Sequence, residues 1–156
     1  MKKPQTAHIL TLMVDNEFGV LTRITAQIRR EGWNIKSLAV AECMEPSVSR
    51  ITLSLECFDT TLPNVVHRLS RLACVRSVTP CDDSIHLSRE LAIVRAKPSA
   101  AKAVIAIAAE FGAKIVETEQ EVTLELSGDP VTLDDFCKRL NEIPDVDVAR
   151  TGPIVL

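Results

Sequence analysis

Apolar residues recur along this chain with two periods, and the switching between them sets the order of elements. Leu21, Ile24 and Ile28 lie three and four apart, and so do Leu62, Val65, Val66, Leu69 and Leu72. The pattern returns in Ala101, Val104, Ile105, Ala108 and Phe111, and again in Leu133, Phe136, Cys137 and Leu140. Each set paints one stripe along a helix, as expected for helices laid on a sheet. Between these segments the period falls to two. Ile51, Leu53 and Leu55 alternate with Thr52, Ser54 and Glu56, and Val122, Leu124 and Leu126 alternate with Thr123, Glu125 and Ser127. Strict alternation buries one face only, which suits antiparallel sheets carrying helices on one side.

The predicted order is strand (about 7–14), helix (19–31), strand (34–43), strand (48–57), helix (60–72) and strand (74–80). It then repeats: strand (89–96), helix (99–111), strand (113–119), strand (121–127), helix (131–142) and strand (145–150). This is βαββαβ twice, an α+β chain of tandem ferredoxin-like units. Gly32 and Ile35 match Gly112 and Ile115 at a shift of 80, while His67-Arg68-Leu69 and Val75 match Lys138-Arg139-Leu140 and Val146 at a shift of 71. The difference fits a longer strand hairpin around Cys43–Val48 in the first unit. The polar run Cys81-Asp82-Asp83-Ser84 places the boundary, giving domains at 1–82 and 83–156. Units this small bury only about 60% of their unfolded surface and leave sheet edges open. Edge-to-edge pairing between two copies answers both problems, so a homodimer is expected.

Composition narrows the function. A formal net charge of -3, from 18 basic and 21 acidic residues, gives no electrostatic footprint for nucleic acid. One Trp, four Phe and no Tyr also leave little for stacking bases. The five cysteines (Cys43, Cys57, Cys74, Cys81 and Cys137) lack CxxC spacing, and with three histidines they assemble no metal pattern. They read as thiols in a reducing compartment. No apolar run approaches the roughly 20 residues of a membrane span, and no signal-like segment follows Lys2-Lys3. The expectation is a cytoplasmic protein with neither nucleic-acid nor membrane partner.

Two short segments carry candidate binding chemistry. In Asp15-Asn16-Glu17-Phe18-Gly19-Val20-Leu21, Asn16 and Gly19 tolerate left-handed backbone, and the following helix offers unpaired N–H groups at its positive end. Such a loop can seat a carboxylate. It serves equally as a plain strand-to-helix turn. In Glu31-Gly32-Trp33-Asn34-Ile35, Gly32 reads as a helix stop, and Asn34 opens a strand with an amide that donates and accepts. The matching loop of the second unit, Lys97-Pro98-Ser99, has neither Asn nor Gly, so a ligand site there is weaker or absent. No catalytic residue is predicted, because no GxSxG, HExxH or phosphate-cradling glycine loop occurs. His8 reads as a paired strand residue and His86 as part of the linker. His67 lies beside Arg68, Arg71 and Arg76, which read as a solvated or partner-facing row.

Three stretches together resemble a known family. They are Val14-Asp15-Asn16-Glu17-Phe18-Gly19-Val20-Leu21-Thr22-Arg23, Gly32-Trp33-Asn34-Ile35-Lys36-Ser37-Leu38 and Val48-Ser49-Arg50-Ile51-Thr52. They are similar to the N-terminal ACT domain of the small regulatory subunits of acetolactate (acetohydroxyacid) synthase. The resemblance continues through Ser88-Arg89-Glu90-Leu91 and Val148-Ala149-Arg150-Thr151-Gly152. It implies a non-catalytic subunit that binds and stimulates a large catalytic subunit and confers feedback inhibition by valine, or by leucine or isoleucine. Thiamine diphosphate, magnesium and FAD are then expected on the catalytic subunit, and no cofactor on this chain. The family's effector sits at an ACT dimer interface. Carried over, Asn16, Gly19, Val20 and Leu21 come from one chain, and Asn34 and Ile35 from the other.

Two positions depart from the family pattern. Phe18 stands where a small or polar residue is usual and would narrow or reshape the pocket; Trp33 replaces a smaller aromatic and reads as packing. Other readings of the same fold are a stand-alone ACT-domain amino-acid sensor, an acyl-phosphate hydrolase and an RNA-binding sheet. The acidic loop disfavours the hydrolase, which needs an arginine in a phosphate-holding loop. The scarcity of aromatics disfavours the RNA-binding sheet.

Overall fold

Leu10, Leu12 and Val14 alternate along β1 (Thr6–Asp15) and are buried, so one face of the opening strand enters a core. A computed structural model of the chain describes residues 6–81, 86–117 and 121–156. Two compact units emerge, Met1–Leu87 with Val155–Leu156, and Ser88–Ile154. The boundary expected at Asp82–Ser84 lies outside the described residues.

In the first unit β1 pairs antiparallel with β3 (Val48–Cys57) on one side and β4 (Val75–Pro80) on the other. The strand β2 (Asn34–Glu42) adds outside β3, giving the order β2-β3-β1-β4 with β2 at an edge. The helices α1 (Val20–Glu31) and α2 (Leu62–Ser70) lay Val20, Ile24, Ile28, Val65 and Leu69 onto Leu10, Leu12, Ile51, Leu53 and Leu55. The helix-free face carries Thr11 and Thr52, paired across β1 and β3, and both are buried along with Ser54.

Gly32 ends α1 at φ 74, with its own N–H on the Arg29 carbonyl and the Trp33 N–H on that of Ile28. This double bond pattern requires left-handed backbone, which glycine adopts without steric cost. Gly112 ends α3 (Ala101–Phe111) in the same way at φ 69, and the Ala113 N–H returns to Ala108. The repeat seen in the sequence is thus a repeat of helix stops.

The second unit has the order β6-β7-β5-β8, with β5 (Ser88–Ala96), β6 (Lys114–Glu117), β7 (Val122–Gly128) and β8 (Val146–Arg150). The helices α3 (Ala101–Phe111) and α4 (Pro130–Leu140) cover one face. Val104, Leu133, Phe136 and Leu140 are buried over Val94 and Leu124, and the Phe111 and Phe136 rings sit 5.2 Å apart. A short β9 (Ile154–Val155) beside β5 was not anticipated, and the end of the predicted strand 113–119 lies outside the described residues. The helix expected over 60–72 is shorter, since Thr61 is its N-cap and the proline after Leu62 fixes its first turn. No helix among the described residues is long and apolar enough to cross a membrane.

Candidate effector-binding site

The turn from β1 into α1 is held from several sides. The Asn16 N–H donates to the Ser47 carbonyl at 2.8 Å, and the Asp15 N–H to that of Cys74 at 2.9 Å. The Asn16 side chain donates both amide protons, to Glu42 Oε2 at 3.0 Å and to the Pro46 carbonyl at 2.9 Å. Its Oδ1 accepts from Ser49 Oγ at 3.0 Å. An amide carbonyl has room for one further donor and no proton left to give. Asn16 therefore clamps the β2–β3 hairpin and retains a single acceptor position.

Gly19 caps α1 at φ 82, a conformation other residues adopt only under strain, and makes no side-chain cap. No acidic residue occupies the first turn of α1. Its N–H groups and the positive end of its dipole thus lack a carboxylate from their own helix. By contrast, Asp129 caps α4 by accepting from the Thr132 N–H at 2.9 Å.

Arg76 braces the same end of the sheet. Its Nε donates to Asp15 Oδ1 at 2.8 Å and its Nη1 to Glu45 Oε1 at 3.3 Å. The Asp15 hydrogen bond, chiefly, raises the Arg76 pKa; bonds from Ser47 and then Arg76 hold Glu45 below the ordinary carboxylate range. Arg76 is exposed, as expected of a solvated row, and its acidic neighbours neutralise it. His8 meets Asp59 at 3.3 Å, which makes it a paired strand residue.

Asn34 is exposed at the start of the edge strand, and Ile35 beside it is half-buried against the core. The 12 residues of α1, at about 1.5 Å each, put Asn34 roughly 18 Å from Gly19 within one chain. The other end of β2 is the one that touches the loop, through Glu42 and Asn16. One protomer therefore does not bring the predicted site residues together. Exposed apolar residues gather at the loop end of this edge: Phe18, Leu21 and Val40, with Met44 in the following hairpin.

The equivalent loop of the second unit is filled by its own ions. Lys97 Nζ meets Asp145 Oδ1 at 2.8 Å, and Ser99 Oγ donates to Asp145 Oδ2 at 3.2 Å. Each partner shifts the other: Lys97 is raised and Asp145 lowered, first through their shared hydrogen bond. A cavity of about 250 Å³ beside it is lined by Arg95, Lys97, Glu121, Asp145 and Asp147, charges of both signs. Among the described residues no cluster of His, Cys, Asp or Glu could hold a metal ion, and all five cysteines are free thiols.

One arrangement escaped the sequence reading. Glu90 is buried and accepts from Arg150 Nε and Nη2, both at 2.7 Å, and from the Gly152 N–H at 3.2 Å. Arg150 reaches on to Asp134 at 2.7 Å. The two family-like segments, Ser88–Leu91 and Val148–Gly152, are the two halves of this ion pair.

Tandem βαββαβ units with helices on one face of each sheet define a ferredoxin-like, ACT-type fold. A family model for the AHAS small subunit-like ACT domain matches residues 10–77, and one for the small subunit of acetolactate synthase matches residues 89–156. The chain belongs to the acetolactate synthase small-subunit family. It is 33% identical over 153 residues to the acetolactate synthase small subunit of Aquifex aeolicus, covering 96% of this chain and 80% of that one. The corresponding protein of Mycolicibacterium smegmatis is 28% identical over 157 residues, covering 99% and 92%. A crystal structure of the Thermotoga maritima small subunit shares the fold, with a TM-score of 0.83 at 24% identity over 97% of this chain and 96% of that one.

Proposed function

We propose that this chain is the non-catalytic, regulatory subunit of an acetolactate synthase, stimulating a large catalytic subunit and carrying feedback inhibition by a branched-chain amino acid. Two copies pair through the β2 edges of their first units. Antiparallel pairing sets the start of one β2 against the end of the other, so the partner's Asn34 arrives at the Gly19 end of α1. The observation that carries this reading is the helix N-terminus at Gly19, with no side-chain cap, set beside that edge.

The chemistry divides between the chains. The effector carboxylate lies against the first turn of α1 at Val20 and Leu21, where a negative charge is favoured. The one acceptor position left on Asn16 and the amide oxygen of the partner's Asn34 take the ammonium. Leu21, Phe18 and Ile35 supply apolar contact for a branched side chain, and valine is the effector of first choice, ahead of leucine and isoleucine. Thiamine diphosphate, magnesium and FAD belong to the catalytic subunit and none to this chain, which works in the cytoplasm. Reconstitution with a purified catalytic subunit, assayed for pyruvate condensation with and without valine, tests the reading. Stimulation that valine reverses is expected. Failure to stimulate, or pyruvate turnover by this chain alone, overturns it.

A further inference from the structure

The helix-free face of the first unit holds a cavity of about 200 Å³, lined by Thr11, Met13, Arg50, Ser77, Thr79 and His86, with Val155 and Leu156. Strand register explains the grouping. Met13 lies opposite Arg50 on β3 and Ser77 on β4, and Thr11 lies opposite Thr79, so all five side chains leave one face. Arg50 also belongs to a segment whose other members have roles: Ser49 holds Asn16, and Ile51 is core. Arg50 is a half-buried residue, as is Arg139. Arg139 pairs with Glu110, whereas Arg50 meets no carboxylate among the described residues.

We propose that this cavity binds a short aliphatic monocarboxylate that lacks an amino group. The guanidinium fork matches a carboxylate in two parallel hydrogen bonds, and the threonine and serine hydroxyls can donate to the same oxygens. Met13, Val155 and Leu156 provide the apolar wall for a short chain. No acidic side chain lines the cavity, and an ammonium there would face Arg50. That chemistry separates this site from the amino-acid site at Gly19. The volume holds roughly six or seven water-sized groups at about 30 Å³ each, the size of isovalerate.

Calorimetric titration of the full chain with isovalerate tests the assignment. Saturable binding is expected, undisturbed by valine and retained by Asn34→Ala. Arg50→Met keeps the length of the stem and removes the fork, and should weaken binding by about tenfold or more. Thr79→Phe, on the edge strand β4, fills the cavity and should abolish binding even if Arg50→Met folds poorly. Absence of saturable binding, binding undiminished in both variants, or displacement by valine would each overturn the proposal.

Discussion

Asn16 and Glu90 are the residues whose neighbourhoods say most about the two units. Asn16 commits three hydrogen bonds to the β2–β3 hairpin, so Asn16→Ala should loosen that hairpin as well as the effector site. We expect it to lose about 1–3 kcal/mol of stability along with valine response, which chemical denaturation beside an inhibition assay would resolve. Glu90 makes a sharper case. Arg150→Met leaves a buried carboxylate without its partner and should cost about 3–5 kcal/mol, whereas Glu90→Gln still accepts from Arg150 and should cost about half as much. Urea melts of the two variants check the order. Equal losses would mean that the pair acts only through packing.

At the scale of elements, four carboxylates set the response to acid. Glu45, Glu110, Asp129 and Asp145 all lie below their ordinary range, held first by hydrogen bonds from Ser47, Arg139, Thr132 and Lys97. A lowered folded pKa means that the unfolded chain takes up more protons on acidification. Their stabilisation is therefore complete above the ordinary carboxylate range, about pH 5, and is lost as pH falls through and below that range. The melting temperature should drop across that window, and less steeply in Asp145→Asn, which keeps the left-handed backbone at φ 64. A flat profile in the wild-type protein would contradict this. The elements themselves were legible in the sequence because stripes and alternation act locally: Gly32 and Gly112 announced both helix stops. What periodicity could not show were contacts between distant segments. Ser49 reaches Asn16 across 33 positions and Arg150 reaches Glu90 across 60, and nothing in either segment names its partner. The left-handed turn at Gly19 was legible through its residue type, but the clamp on Asn16 was not. The β9 strand was missed because two residues carry no period.

For the molecule as a whole, everything turns on whether two chains build one site. Within a chain, the length of α1 separates Gly19 from Asn34, and exposed Phe18, Leu21 and Val40 await cover. Sedimentation at micromolar concentration should show a dimer, and a monomer would remove the basis for a shared site. The most direct measurement uses two damaged chains. Gly19→Asp places a charge and a Cβ at the carboxylate end, and Asn34→Ala removes the amide at the ammonium end. Each variant alone should stimulate the catalytic subunit yet resist valine. In their mixed dimer, one site collects both lesions and the other is wholly wild type. Valine inhibition curves of the reconstituted enzyme should therefore regain sensitivity when the two variants are mixed and allowed to exchange. A mixture that exchanges subunits yet stays as resistant as either variant alone would show that the site is not shared between chains.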